Sequence, residues 1–187
     1  MDALLTSFIA AGLAEWGDKT QLLVVALAAR YRQPGPILAG ILVAALANAL
    51  IAAFGGTLVH GMIIPRATAL LVGVALLFAG VAGLIRGKVR PEVASRRGAF
   101  LTALGAFFVL EFGDKTQFVT FGIAAHYDAL VLAAAGATAG VLAASIPAAL
   151  LGDRLNEALP LKGMRIGIAL LFLVAGFVVA VNALALV

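Results

Sequence analysis

The chain has 187 residues, of which 64% are hydrophobic and 12% charged, with a formal net charge of +4 and a mean hydropathy of +1.14. A soluble domain carries roughly 25% charged residues, and a water-exposed fold of this composition would present far too much apolar surface. The composition excludes a soluble globular domain and a disordered chain, and points to an integral membrane protein built as one unit, residues 1–187.

A spanning helix needs about 20 mostly apolar residues. Six runs qualify, at approximately 4–29, 36–59, 67–85, 99–125, 129–151 and 164–186. Met1 and Asp2 supply no basic leader, and the first run carries charges in its middle, so it reads as a membrane helix rather than a cleaved signal. Pro34-Gly35-Pro36 separates the first two runs. Pro147 interrupts the fifth and is expected to kink it, freeing the carbonyl of Ala143. Gly136 and Gly140 form a G-x-x-x-G, which reads as close packing inside the chain. His60 and His126 read as ordinary interfacial histidines at helix ends.

Basic residues orient the runs. Arg30 and Arg32, then Arg86, Lys88, Arg90, Arg96 and Arg97, then Arg154, Lys162 and Arg165 fall in alternate loops on one side, against Arg66 on the other. By the positive-inside rule both termini are expected outside the cytoplasm and the 86–97 loop inside. The net positive charge is therefore loop topology and no sign of a nucleic-acid partner. Cysteine is absent, which removes disulfides and thiolate chemistry.

An internal repeat runs through the chain. Glu15-Trp16-Gly17-Asp18-Lys19-Thr20-Gln21 recurs as Glu111-Phe112-Gly113-Asp114-Lys115-Thr116-Gln117, an offset of 96. The same offset pairs Tyr31 with Tyr127, Gly56 with Gly152 and Gly80 with Gly176. Each copy, approximately 4–86 and 99–187 with a cytoplasmic linker at 87–98, holds three helices. Three is odd, so the second copy enters the membrane from the opposite face. The expected fold is all-α: six transmembrane helices as two inverted three-helix repeats, an architecture typical of secondary transporters.

Charge at membrane depth is costly, yet each motif carries two carboxylates and a lysine. The carboxylates are spaced i, i+3 and can share one helix face. Inversion would bring the motifs together and offer Glu15, Asp18, Glu111 and Asp114 to one ion, with Thr20, Gln21, Thr116 and Gln117 as neutral oxygen ligands. Such an oxygen-only set favours a hard divalent cation, namely calcium, manganese or magnesium, over zinc or copper. Lys19 and Lys115 fit two placements: i, i+4 pairing with Glu15 and Glu111, or contact with backbone freed at a break near Gly17 and Gly113. Asn48 and Ser145, in the second and fifth runs, are secondary candidates that complete the site or simply bond between helices.

The doubled E-x-G-D-K-T in a six-helix chain of this length resembles the UPF0016 (Gdt1/TMEM165) family of cation transporters, and the compact form resembles its bacterial manganese exporters. The resemblance covers the whole chain, implies a bacterial plasma membrane, and carries over onto Glu15, Gly17, Asp18, Lys19, Thr20, Glu111, Gly113, Asp114, Lys115 and Thr116. It implies export of Mn2+, with Ca2+ handled by some members, in exchange for H+. No enzyme nucleophile–base pair or cofactor motif stands out, so no catalysis is expected. A divalent ion and the lipid bilayer are the expected partners, and a homo-oligomer is compatible with the sequence. A calcium/proton antiporter, a small-solute exporter and a non-transporting membrane scaffold are the alternatives.

Overall fold

The computed structural model describes residues 1–85 and 98–184, apart from the side chains of residues 156 and 158. The loop basics at 86, 88, 90, 96 and 97 lie outside the described residues. The chain is helical, with no strand among the described residues. In chain order, α1 spans Asp2–Glu15, α2 Lys19–Tyr31, α3 Pro34–His60 and α4 Pro65–Leu84. Then come α5 (Ala99–Glu111), α6 (Lys115–Tyr127), α7 (Leu130–Leu151), a 3-10 turn (Gly152–Arg154), the short α8 (Leu155–Ala158) and α9 (Leu161–Leu184). Among the described residues, four segments are long and apolar enough to cross a membrane: Pro34–His60, Pro65–Leu84, Leu130–Arg154 and Leu161–Leu184.

The first and fourth apolar runs, for which the sequence left a break at Gly17 and Gly113 open, are each broken at the motif. The cause is a tight turn. Trp16 has φ −67° and ψ 123°, Gly17 has φ +72°, and the Asp18 N–H donates to the Glu15 carbonyl at 3.2 Å. Phe112, Gly113 and Asp114 repeat this with φ −64° and ψ 121°, then φ +74°, and an Asp114 bond to Glu111 at 3.0 Å. This is the type II turn, whose third residue needs positive φ and hence glycine. So the i, i+3 carboxylates of each motif do not share one helix face: a turn lies between them. Pro34 and Pro65 open α3 and α4 in the first turn, where the missing N–H costs nothing. Pro147 lies inside α7, which continues through it.

Tight packing rests on small residues, as expected where lipid supplies no hydrophobic drive. A Cβ built on Gly140 would lie 2.7 Å from the Gly12 nitrogen, which puts the G-x-x-x-G of α7 in backbone contact with α1. At Gly40 it would lie 2.9 Å from the Leu104 nitrogen, joining α3 to α5. The equivalent glycines Gly80 and Gly176 both lie in the α4–α9 contact, Gly80 against Ala169 and Leu173 and Gly176 against Gly73 and Leu77. These partners are themselves 96 apart. Each half thus lays its broken helix along the long helix of the other half, α1–α2 beside α7 and α5–α6 beside α3.

Candidate metal centre

The two breaks meet near the middle of the long helices. Asn48, midway along α3, donates to the Phe108 carbonyl (3.2 Å) and accepts from Gln117. The motif glutamines have matching tasks. The Gln21 side-chain oxygen accepts the Gly17 N–H at 2.9 Å, and its amide donates to the Ala144 carbonyl of α7 at 3.1 Å. Gln117 accepts the Gly113 N–H at 2.7 Å and donates to the carbonyl and side-chain oxygen of Asn48, both at 3.2 Å. Positions 48 and 144 are 96 apart, so the same staple is built twice. It satisfies a backbone N–H freed by the turn. Ser145, beside Ala144, is buried in α7.

The lysines adopt neither placement considered from sequence. They cross between the halves. Lys19 pairs with Asp114 at 3.1 Å, and Lys115 pairs with Asp18. Both aspartates stand at helix N-caps without capping their own helices, because their carboxylates reach across. Among the described residues no three of His, Cys, Asp and Glu converge closely enough to hold a metal ion. In this arrangement the aspartates are occupied by lysines, and the glutamates form a separate buried pair of positions.

Those glutamates differ. Glu15 is buried and accepts hydrogen bonds from Thr20 and, at 2.8 Å, from Thr116 of the other motif. Glu111 is equally buried, and neither of its carboxylate oxygens has a hydrogen-bond partner. It lines a cavity of about 10 Å³ together with Asn48, Thr116, Gln117 and Thr120. That space suits one water-sized occupant. Thr116 therefore joins the two glutamates, bonding one and lining the cavity beside the other. Thr120 was not singled out from sequence. Its signal was there: a hydroxyl one helical turn beyond Thr116, and its hydroxyl donates to the Thr116 carbonyl at 2.8 Å. Chemically the centre offers carboxylate, hydroxyl, amide and carbonyl oxygens with no sulfur or imidazole, a set suited to a hard cation.

The family model for "Divalent cation/proton antiporter GDT1" matches the chain twice, over residues 3–90 and 99–186. A protein of Vibrio cholerae serotype O1 named "Putative manganese exporter" is 40% identical over 182 residues, covering 96% of this chain and 91% of that protein. No solved structure matches the chain. The doubled match falls on the two halves that the 96-residue offset defines, and both similarities are to transporters of cations. The chain belongs to the divalent cation/proton antiporter GDT1 family of membrane transporters.

Proposed function

We propose that the chain exports manganese from the cytoplasm in exchange for protons, through a centre shared by its two motifs. The observation that carries this reading is Glu111. A buried carboxylate with no partner is expensive unless something compensates it, and here it faces a water-sized cavity whose polar lining is Asn48, Thr116, Gln117 and Thr120, among alanines and Val141. Glu15, Glu111, Thr116 and Thr120 would hold the cation. Asp18 and Asp114 would join them when their lysines give way. Gln21, Gln117 and Asn48 hold the breaks in place. Protons would replace the departing metal on the same carboxylates, which couples the flows without a second site.

The symmetric contacts support two inverted repeats of three spans each, with α1–α2 and α5–α6 as discontinuous spans. The basic residues support an inward-facing loop side and external termini. The 40% identity to a protein named as a manganese exporter favours manganese, while the oxygen-only ligand set keeps calcium as the second reading.

The test is flux in proteoliposomes under an imposed pH gradient, comparing manganese, calcium and magnesium. Manganese flux with opposing proton movement is expected, and Glu15→Gln and Glu111→Gln should each fall to the level of empty liposomes. Manganese flux without proton movement would remove the exchange. A larger calcium flux would reassign the cargo. No metal flux at all would favour a scaffold.

A further inference from the structure

We propose that Thr120 and Ala137 make Glu111 the loading side of the centre, where one small cation is taken up, and that Val24 and Ile41 close the equivalent side at Glu15. The proposal rests on the reading of the chain as a cation carrier and of its halves as inverted copies, because it compares positions 96 apart.

The motifs alone do not separate the two glutamates. Glu15 is followed by Thr20 and Gln21 at the same spacing as Glu111 by Thr116 and Gln117. What differs is the cavity beside Glu111, which has room for about one water and is lined also by Asn48, Thr120 and Ala137. Both Glu111 carboxylate oxygens are buried without a partner. A threonine hydroxyl has one proton and two lone pairs. The Thr116 proton goes to Glu15 at 2.8 Å, and the Thr120 proton goes to the Thr116 carbonyl at 2.8 Å. Both hydroxyl oxygens therefore keep lone pairs for an occupant. Gln117 spends its own oxygen on the Gly113 N–H. An occupant thus meets one carboxylate and two hydroxyl oxygens that can only accept from it, which suits a small hard cation and repels an anion.

Positions equivalent to the lining carry apolar groups on the Glu15 side. The counterpart of Thr120 is Val24 and that of Ala137 is Ile41, both fully buried. Valine has the outline of threonine without its oxygen. Isoleucine puts a bulky branched side chain where Ala137 has a methyl group. Asn48 corresponds in the same way to Ala144. Ala45 and Val141, by contrast, are counterparts of each other, and both line the cavity. A space lined by both members of such a pair lies close to the axis that relates the halves. Its displacement toward Glu111 is then set by the residues that differ across that axis. Glu15 is meanwhile served by the hydroxyls of Thr20 and Thr116. Cargo entering the cavity would give Glu111 its first partner, while the apolar pair at Val24 and Ile41 denies the same room and the same oxygen to the other side.

The test is equilibrium binding of manganese to the purified full chain in detergent, with manganese flux in proteoliposomes from the same preparations. One manganese per chain is expected. Thr120→Val keeps the shape and removes the oxygen. It should weaken binding about tenfold, the loss of one contact between a polar group and a charge, and raise the KM for flux by the same factor. Thr120→Ser keeps the hydroxyl and should bind as the parent does. A residue with only a packing role would give the opposite ranking, because serine loses the methyl group that valine retains. Val24→Thr makes the reverse exchange on the Glu15 side, where the new hydroxyl can bond back to the Thr20 carbonyl, and should leave the affinity unchanged. Ala137→Val fills the cavity and should weaken binding at least as much as Thr120→Val; if it does not fold, the two Thr120 variants decide alone. The proposal is overturned if Thr120→Val binds as tightly as the parent, if Thr120→Ser is the weaker of the two, if Val24→Thr shifts affinity as strongly as Thr120→Val, or if two manganese ions bind per chain. A parent that carries manganese while these variants match it defeats the one-sided site alone. A parent that neither binds nor carries manganese, calcium or magnesium defeats the transport reading, and this proposal with it.

Discussion

The two motifs differ in identity at one position of seven, Trp16 against Phe112, and they build the same backbone. Gly17 and Gly113 take φ +72° and +74°, and both glutamine staples form. Their surroundings diverge. Gly17 is covered by α9 while Gly113 has nothing within 4 Å of where a Cβ would stand, and Glu15 holds two threonine hydroxyls while Glu111 holds none. Local sequence therefore fixes the turn, and tertiary contacts decide how each carboxylate is used. One chemical kit is present in two environments within a single molecule.

Three pairs of substitutions probe that difference. The largest effect is expected at the ion pairs. Removing one member of a buried pair costs about 3–5 kcal/mol because a charge is left stranded. The Lys115–Asp18 side chains are 5% and 13% exposed, against 25% and 15% for Lys19–Asp114. Asp18→Asn should therefore lower the melting temperature in detergent more than Asp114→Asn, and equal losses would show that the two pairs are equally shielded. Next come the turn glycines. Alanine at either pays about 1–2 kcal/mol for a left-handed conformation, but at Gly17 its Cβ would also lie 2.6 Å from the Leu161 oxygen and 2.9 Å from the Arg165 Cβ. Gly17→Ala should be the more damaging in the same melting assay by a further ~1–3 kcal/mol of overpacking; a milder Gly17→Ala would mean that α9 does not cover this turn. The smallest difference is expected at the staples. Gln117 reaches two oxygens of Asn48 where Gln21 reaches one carbonyl. Gln117→Ala should cost about 1 kcal/mol more than Gln21→Ala, and urea or thermal unfolding that ranks them the other way would show that the Asn48 side chain adds nothing.

Much of this was legible in the sequence. The second, third, fifth and sixth apolar runs correspond to helices of the structure within a few residues, and the two motifs fall at equivalent breaks 96 residues apart, because apolar length and repetition are properties of the chain itself. The G-x-x-x-G of α7 was read as internal packing, and it meets α1. The division of the first and fourth runs was legible only as a freedom at Gly17 and Gly113, since the choice between helix and turn depends on what receives the released N–H. That receiver is a glutamine four residues on. The lysine partners were not legible. Spacing along one helix suggested Glu15 with Lys19 and Glu111 with Lys115, whereas the stable pairs join residues 95 and 97 apart in sequence. Nor does the motif sequence distinguish Glu15 from Glu111, whose difference arises from threonines that both turn toward one of them.

The broken helices also shape the field at the centre. Each short helix carries about half a positive charge at its start and half a negative charge at its end. α1 and α5 terminate at the centre, so their negative ends face it, while α2 and α6 begin there with their positive ends. Lys19 and Lys115 are the first residues of α2 and α6. The peptide dipoles of each half therefore repel its own lysine, which is retained by an aspartate belonging to the other half. Under the proposed function, a cation that drew an aspartate away would be aided by the dipole already pushing the ammonium group outward, and would meet the negative ends of α1 and α5 in its place.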